Sequence, residues 1–188
     1  MISGGKDMDI KPFTRDSEAY RKAFANLLIA CFPHCYADCS VDKVEEYLSK
    51  DRIALMAIVD GRLAGFVGAT PHYGVTGWEL HPLAVFPEFQ GLGIGSALVK
   101  ALESDVLKRG GITLYLGTDD EFDKTSLSNT DLYEHLWEQI ENIRNLKKHP
   151  YEFYQKQGFQ IVGVLPDVNG LGKPDIYMAK RLIALKQN

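Results

Sequence analysis

The chain reads as a mixed α/β protein whose central feature is strand, glycine loop, helix, strand. Three observations carry that reading. Apolar runs of strand character alternate along the chain with stretches whose apolar residues recur at helical spacing. Asp60-Gly61 is a strong hairpin signal between two such runs, Arg52 to Val59 and Arg62 to Ala69. The glycine-rich stretch Gln90 to Gly95 separates a strand from a helix.

The elements follow in order. Met8 to Phe13 is a short strand, and Asp16 to Ala30 sets Ala19, Ala23, Leu27 and Ala30 at helical spacing after an Asp/Ser start. Val41 to Leu48 is a second amphipathic helix with Ser40 as its cap. After the hairpin, Thr76 to Phe86 is a strand containing Pro82, which has no N–H for a ladder, so pairing is expected to fail there and the strand to bulge or splay. The helix after the glycine loop carries Ala97, Leu98, Ala101, Leu102 and Val106 on one face and stops at Gly110-Gly111. Ile112 to Leu116 is a buried strand, Gly117 to Asn129 is polar and acidic, and Asp131 to Asn145 reads as a helix. Pro150 to Gln157 is a short helix ended by Gly158, and Phe159 to Leu165 and Asp175 to Leu182 are the last strands.

Composition bounds the function. With 188 residues, 45% of them hydrophobic and 24% charged, the expectation is one domain, residues 1–188, with residues 1–7 as a flexible start. Lys and Arg number 21 against 25 Asp and Glu, a net charge of −4, which argues against a nucleic-acid binder or a membrane binder that relies on a basic field. Met1 to Asp9 is polar and no run approaches the ~18 apolar residues of a membrane span, so the expected setting is cytoplasmic. Cys31, Cys35 and Cys39 recur every fourth residue beside His34, but Pro33 interrupts a helix there and no second Cys/His pair exists, so no metal site is expected.

The glycine loop can cradle an anion, because glycines let successive N–H groups and a helix N-terminus point at one place. A Walker loop needs a Lys after its last glycine, whereas Gly95 is followed by Ser96 and Ala97. A dinucleotide fingerprint needs its third glycine where Ser96 stands. The Gln90-x-x-Gly93-x-Gly95 spacing instead closely resembles the acyl-CoA pyrophosphate loop of the GNAT N-acetyltransferase superfamily, and the element order resembles that family over nearly the whole chain.

Longer strings narrow the resemblance. Tyr73-Gly74-Val75-Thr76-Gly77-Trp78-Glu79-Leu80-His81-Pro82-Leu83, Tyr115-Leu116-Gly117-Thr118-Asp119-Asp120, His149-Pro150-Tyr151-Glu152-Phe153-Tyr154 and Lys173-Pro174-Asp175-Ile176 look like aminoglycoside 6'-N-acetyltransferases. The resemblance implies a GNAT-type fold, with a central, mostly antiparallel sheet and a splayed strand pair flanked by helices. It implies an enzyme that moves acetyl from acetyl-CoA, a cosubstrate, to an aminoglycoside 6'-amine by direct attack on the thioester, giving antibiotic resistance. It also implies a homodimer. The cofactor residues it implies are Leu83, Ala84 and Val85 of the strand and Gln90, Gly91, Leu92, Gly93, Ile94, Gly95 and Ser96 of the loop.

Amine acetylation needs a proton acceptor, an oxyanion donor and an acid for the departing thiolate. Glu79 and His81 are two apart on a strand and so share a face, with Trp78 and Leu80 on the other. By resemblance Glu79 is the base; His81 is the rival base or an orienting residue, favoured on residue type by its near-neutral pKa. The resemblance makes the Leu83 N–H, just after Pro82, the oxyanion donor and Tyr154 the acid. For substrate, Asp119 and Asp120 match the family and suit a polyammonium sugar, and Tyr73 and Trp78 offer flat surfaces to sugar rings or belong to the core. Phe32 stands where relatives can carry Trp, and Phe86 and Leu171 replace polar or bulkier residues. Between Gly117 and Asp131 five acids face Lys124 alone, a local attraction for a cationic amine. Two other readings use the same features: a GNAT enzyme acting on a peptide or protein amine, and an acyl-CoA-binding regulator, for which Glu79 and Tyr154 would be superfluous.

Overall fold

The computed structural model describes residues 7–36 and 41–184. They form two compact units, 1–112 and 113–188. Ser40 and Cys39 lie outside the described residues, as do residues 1–6 of the expected flexible start.

In the first unit, strands β1 (Met8–Pro12), β2 (Ile53–Val59), β3 (Arg62–Tyr73) and β4 (Gly77–Val85) pair antiparallel in that order. The β2–β3 hairpin turns where expected: Asp60 and Gly61 both have positive φ, 50° and 76°, as a type I′ turn demands, and Val59 pairs with Arg62. Helices α1 (Glu18–Cys31), α2 (Pro33–Tyr36) and α3 (Val41–Glu46) precede β2, and α4 (Ile94–Lys108) follows β4. The sheet is covered on both faces. Phe66 stacks on Phe24 of α1 with ring centroids 4.1 Å apart, and Tyr47 and Phe13 close around the same ring. Its neighbour Gly65 points the other way, toward Leu98 of α4. Burial on both sides is why β2 and the first half of β3 read as continuous apolar runs rather than alternating ones.

The β3–β4 pairing is not regular, and both of its irregularities sit at prolines. Val67 pairs with Leu83 but Ala69 with Leu80, so Gly68 faces His81 and Pro82 together: β4 bulges, as Pro82 predicts. A Cβ on Gly68 would lie 2.7 Å from the His81 carbonyl oxygen, so only glycine admits this approach. The second bulge is on β3, where Pro71 pairs with Trp78 and Tyr73 with Gly77, leaving His72 as the extra residue. β3 thus runs four residues beyond the Ala69 that its sequence pattern marks as its end.

In the second unit, β5 (Thr113–Asp119), β7 (Asp175–Arg181) and β6 (Gln160–Leu165) pair antiparallel with β7 in the middle. Leu114, Leu116, Phe159, Ile176 and Met178 make its core, and α6 (Tyr151–Lys156) brings Tyr154 against Phe159, ring centroids 5.8 Å apart. The helix expected over Asp131 to Asn145 shrinks to α5 (Leu136–Glu141). Asp131 Oδ1 instead accepts the Tyr133 N–H in a local turn, His135 takes a positive φ of 52°, and no residue of α5 is buried. Side-chain bonding to nearby backbone competes with helix, and α5 gains no buried residue to reverse that. The return stretch pairs with the acidic loop instead, Leu146 N–H donating to the Lys124 carbonyl at 2.7 Å.

Candidate active site

In the first unit, strand alternation orders the candidate residues along β4. Before the bulge, Glu79 and His81 are the more open residues and Trp78 and Leu80 the buried ones; beyond Pro82 the alternation resumes one residue out of phase, so buried Ala84 lies on the Phe66 side of the sheet and half-buried Leu83 and Val85 on the Gly65 side. Trp78 is therefore core: it is 2% exposed and its Nε1 donates to the Val75 carbonyl at 2.8 Å, which leaves it no face for a sugar ring. Tyr73, 72% exposed, retains an open ring. The Ala84 side chain is buried in the Phe24–Phe66 core, so any contact it makes with a ligand is through backbone. Phe32 is half-buried, packed with Phe86 against the α1 core and 5.9 Å from the Tyr36 ring.

The bulge in β3 adds a residue that the sequence reasoning missed. His72 Nδ1 lies 3.3 Å from Glu79 Oε2. Alternation along β3 puts His72 on the same face as Thr70, the partner of Glu79, and the bulge after Pro71 leaves it unmatched there; the signal is that spacing together with Pro71. Tyr36 is another such residue. Its hydroxyl is 3.3 Å from His81 Nε2 and 3.2 Å from the Tyr47 hydroxyl, so His81 stands at the outer end of a chain of phenols that runs into the core. Burial, with the neighbouring Tyr36 phenol, pushes the Tyr47 hydroxyl well up, so it stays protonated.

The glycine loop has the form its composition predicts. Gly91 and Gly93 have φ of +76° and +81°, and a Cβ at either would meet nothing within 4 Å. Ala97 N–H makes the first helical bond, to the Gly93 carbonyl, so the amides of Ile94, Gly95 and Ser96 precede the intrahelical ladder. The first turn of α4 holds no acid. Gln90 Nε2 donates to the Val85 carbonyl at 3.0 Å, and Cys31 Sγ reaches the same oxygen at 3.4 Å, fastening the start of the loop to the end of β4. Open glycines, unspent amides and no competing carboxylate suit a pyrophosphate. Leu92, half exposed, is free to lie along a ligand.

In the second unit, the two adjacent acids divide. Asp120 is fully buried and its carboxylate accepts from Ser128 Oγ at 2.6 Å, Lys124 N at 2.6 Å and Thr125 N at 2.8 Å. Burial alone would raise its pKa, yet those hydrogen bonds outweigh it and hold the carboxyl below the usual range. Asp120 is thus spent on shaping the loop. Asp119 is exposed, with Oδ1 accepting from Asn169 Nδ2 at 2.6 Å. Asp123 is paired with Lys173 and Asn129, so the acidic window is less available to a cation than its charge count suggests.

Tyr154 is 9% exposed, and its hydroxyl has no hydrogen-bond partner among the described residues. Burial pushes its phenol well up, so it holds its proton throughout the neutral range. Among the described residues no group of three His, Cys, Asp or Glu is placed to hold a metal ion.

Comparison with known proteins gives a consistent set. A family model described as the Acetyltransferase (GNAT) family matches residues 21–159. An aminoglycoside 6'-N-acetyltransferase crystallised with coenzyme A is 49% identical over 95% of this chain and 99% of its own, with a TM-score of 0.93. The aminoglycoside 6'-N-acetyltransferase from Enterococcus faecium is 48% identical over 95% and 99%, TM-score 0.91. An aminoglycoside 6'-acetyltransferase type Ii is 42% identical over 94% and 99%, TM-score 0.75. No curated protein matches the chain.

Proposed function

The chain belongs to the GNAT acetyltransferase family, and from that premise we propose that it transfers acetyl from acetyl-CoA to the 6'-amino group of aminoglycosides, lowering its host's susceptibility to them. The observation that carries this is near-full-length identity of 42–49% to three aminoglycoside 6'-acetyltransferases, one of them holding coenzyme A.

Acetyl-CoA supplies the activated acetyl group as its thioester. The open glycines and free amides at the start of α4 support binding of its pyrophosphate there, with Gln90 fixing the loop. Glu79 accepts the proton of the substrate ammonium, directly or through a water, and His72 beside it fixes the carboxylate. His81, hydrogen-bonded to Tyr36, orients substrate or serves as the rival base. The Leu83 N–H follows the Pro82 bulge and donates to the developing oxyanion. Tyr154, which keeps its proton and has it uncommitted, donates to the departing thiolate. Asp119 and the open ring of Tyr73 receive the cationic sugar. Asp120 and Trp78 act at one remove, by holding the loop and the strand that carry these groups.

The test is thiol release with acetyl-CoA across an aminoglycoside panel that includes compounds lacking a 6'-amine, run beside basic peptides. Transfer confined to 6'-amino compounds is expected. Failure with all of them together with transfer to peptides overturns the substrate in favour of a peptide or protein amine. A homodimer and a cytoplasmic setting belong to the same proposal; sedimentation equilibrium decides the first and cell fractionation the second.

A further inference from the structure

One buried titratable group has no part in the chemistry above. His149 is 2% exposed, and all four of its polar groups are committed. Its Nδ1 accepts the Tyr151 N–H at 3.2 Å, the first amide of α6, which has no intrahelical partner. Its Nε2 lies 3.0 Å from the Asp119 carbonyl oxygen. Because Nδ1 is an acceptor and a carbonyl cannot donate, Nε2 carries the proton and the ring is neutral. The backbone on either side is clamped as well: Asn145 Oδ1 accepts the His149 N–H at 2.7 Å and Asn145 Nδ2 donates to the His149 carbonyl at 2.9 Å.

The two arms of the ring end on different functional elements. One ends on Asp119, the exposed acid at the end of β5; the other ends on the first turn of the helix that carries Tyr154. We propose that His149, as the neutral Nε2–H tautomer, is a positioning residue that couples the substrate-facing end of β5 to the helix bearing the proton donor. The ring is rigid and fully buried, so a shift at one arm is passed to the other. Burial, the main effect on its pKa, favours the neutral form; Asp119 and Asp120 oppose that shift and Lys124 reinforces it. These are the charged groups around the ring, with the Tyr151 phenol 5.7 Å away as its ring neighbour.

The coupling rests on the acetyltransferase reading for its consequence but not for its geometry, and the test separates the two. His149→Asn keeps an oxygen where Nδ1 stands and loses the Asp119 arm. His149→Gln reaches the Asp119 carbonyl and loses the acceptor for Tyr151. His149→Phe keeps the ring and loses both. In steady-state transfer, Asn is expected to raise the amine KM with kcat within about twofold, Gln to lower kcat by about tenfold or more with KM little changed, and Phe to do both. In the protein without substrate, imidazole 15N shifts should show Nδ1 unprotonated and Nε2 protonated, and exchange of the Tyr151 amide should quicken in Gln and Phe but not in Asn. Kinetics of His149→Phe equal to the parent, or all three variants losing kcat and KM together in step with their melting temperature, overturns the coupling; so does a protonated Nδ1. If the parent acetylates no aminoglycoside, the functional reading fails, and the shifts and exchange rates still decide the coupling.

Discussion

His72 Nδ1 lies 3.3 Å from Glu79 Oε2, and His72 is the one unmatched residue of a bulge between Pro71 and Tyr73. A regular ladder would pair His72 with a β4 residue and continue the alternation. The bulge leaves it without a cross-strand partner, on the face it shares with Thr70, which pairs with Glu79.

If Glu79 is the base and His72 fixes it, the two residues act as a unit. Glu79→Gln should lower kcat by on the order of a hundredfold or more, and His72→Gln by about tenfold. In the Glu79→Gln background the His72 substitution should cost almost nothing, because its only route to the chemistry is gone. Full additivity in this double-mutant cycle removes His72 from the mechanism, and unchanged kinetics of Glu79→Gln, with substrate both saturating and subsaturating, removes Glu79.

The backbone N–H of Leu83 is tested by a pair of substitutions at a half-buried position. Leu83→Pro deletes the donor and should cut kcat by roughly a hundredfold; Leu83→Ala keeps it and should lose much less. Both must be compared at matched folding by circular dichroism. Similar losses in equally folded variants would show that the amide is not used.

Tyr154 gives a signature in pH as well as in rate. Tyr154→Phe should leave the dissociation constant for acetyl-CoA unchanged and slow transfer by about tenfold or more. Burial raises the phenol, so its proton is retained across the neutral and mildly alkaline range and the parent should show no alkaline limb from this group below about pH 10. A limb near neutrality that vanishes in the Phe variant would contradict this.

Asp119 and Asp120 should separate in experiment although they are adjacent. Asp119→Asn is expected to raise the amine KM several-fold with little change in stability, measured by urea denaturation. Asp120→Ala strands the Ser128, Lys124 and Thr125 donors and should cost roughly 3 kcal/mol. The pH dependence follows from the same buried groups. The folded pKa of Asp120 is depressed, so its contribution is present above the ordinary value of 3.8 and is lost as pH falls through the folded value. His149 is also depressed, but its favoured form is the neutral one; its contribution is full above the ordinary 6.5 and declines as pH falls below it. Stability in the parent should therefore fall in two stages on acidification, and His149→Gln should remove the upper one.

Local features were legible from residue order alone. The Asp60-Gly61 turn, the loop from Gln90 to Gly95, the break at Pro82 and the sharing of one strand face by Glu79 and His81 each follow from backbone preferences or a period of two. These are properties of a few neighbouring residues, so the sequence carries them without reference to the rest of the chain. The family strings, being longer, carried the chemistry as well.

What the tertiary structure decided is which polar groups remain available and which are spent. Trp78 and Tyr73 offered the same ring chemistry on paper, yet one is sealed in the core and the other is open. Asp119 and Asp120 carry the same charge, yet Asp120 is consumed by three donors from its own loop and Asp119 is exposed. The helix expected over Asp131 to Asn145 shortened to α5, which buries none of its residues. His72 and His149 acquired partners from across a bulge and from a strand thirty residues away. Residue type and order determined the elements and the kind of chemistry; the availability of each side chain is set by its non-local neighbours, which only the folded chain brings together.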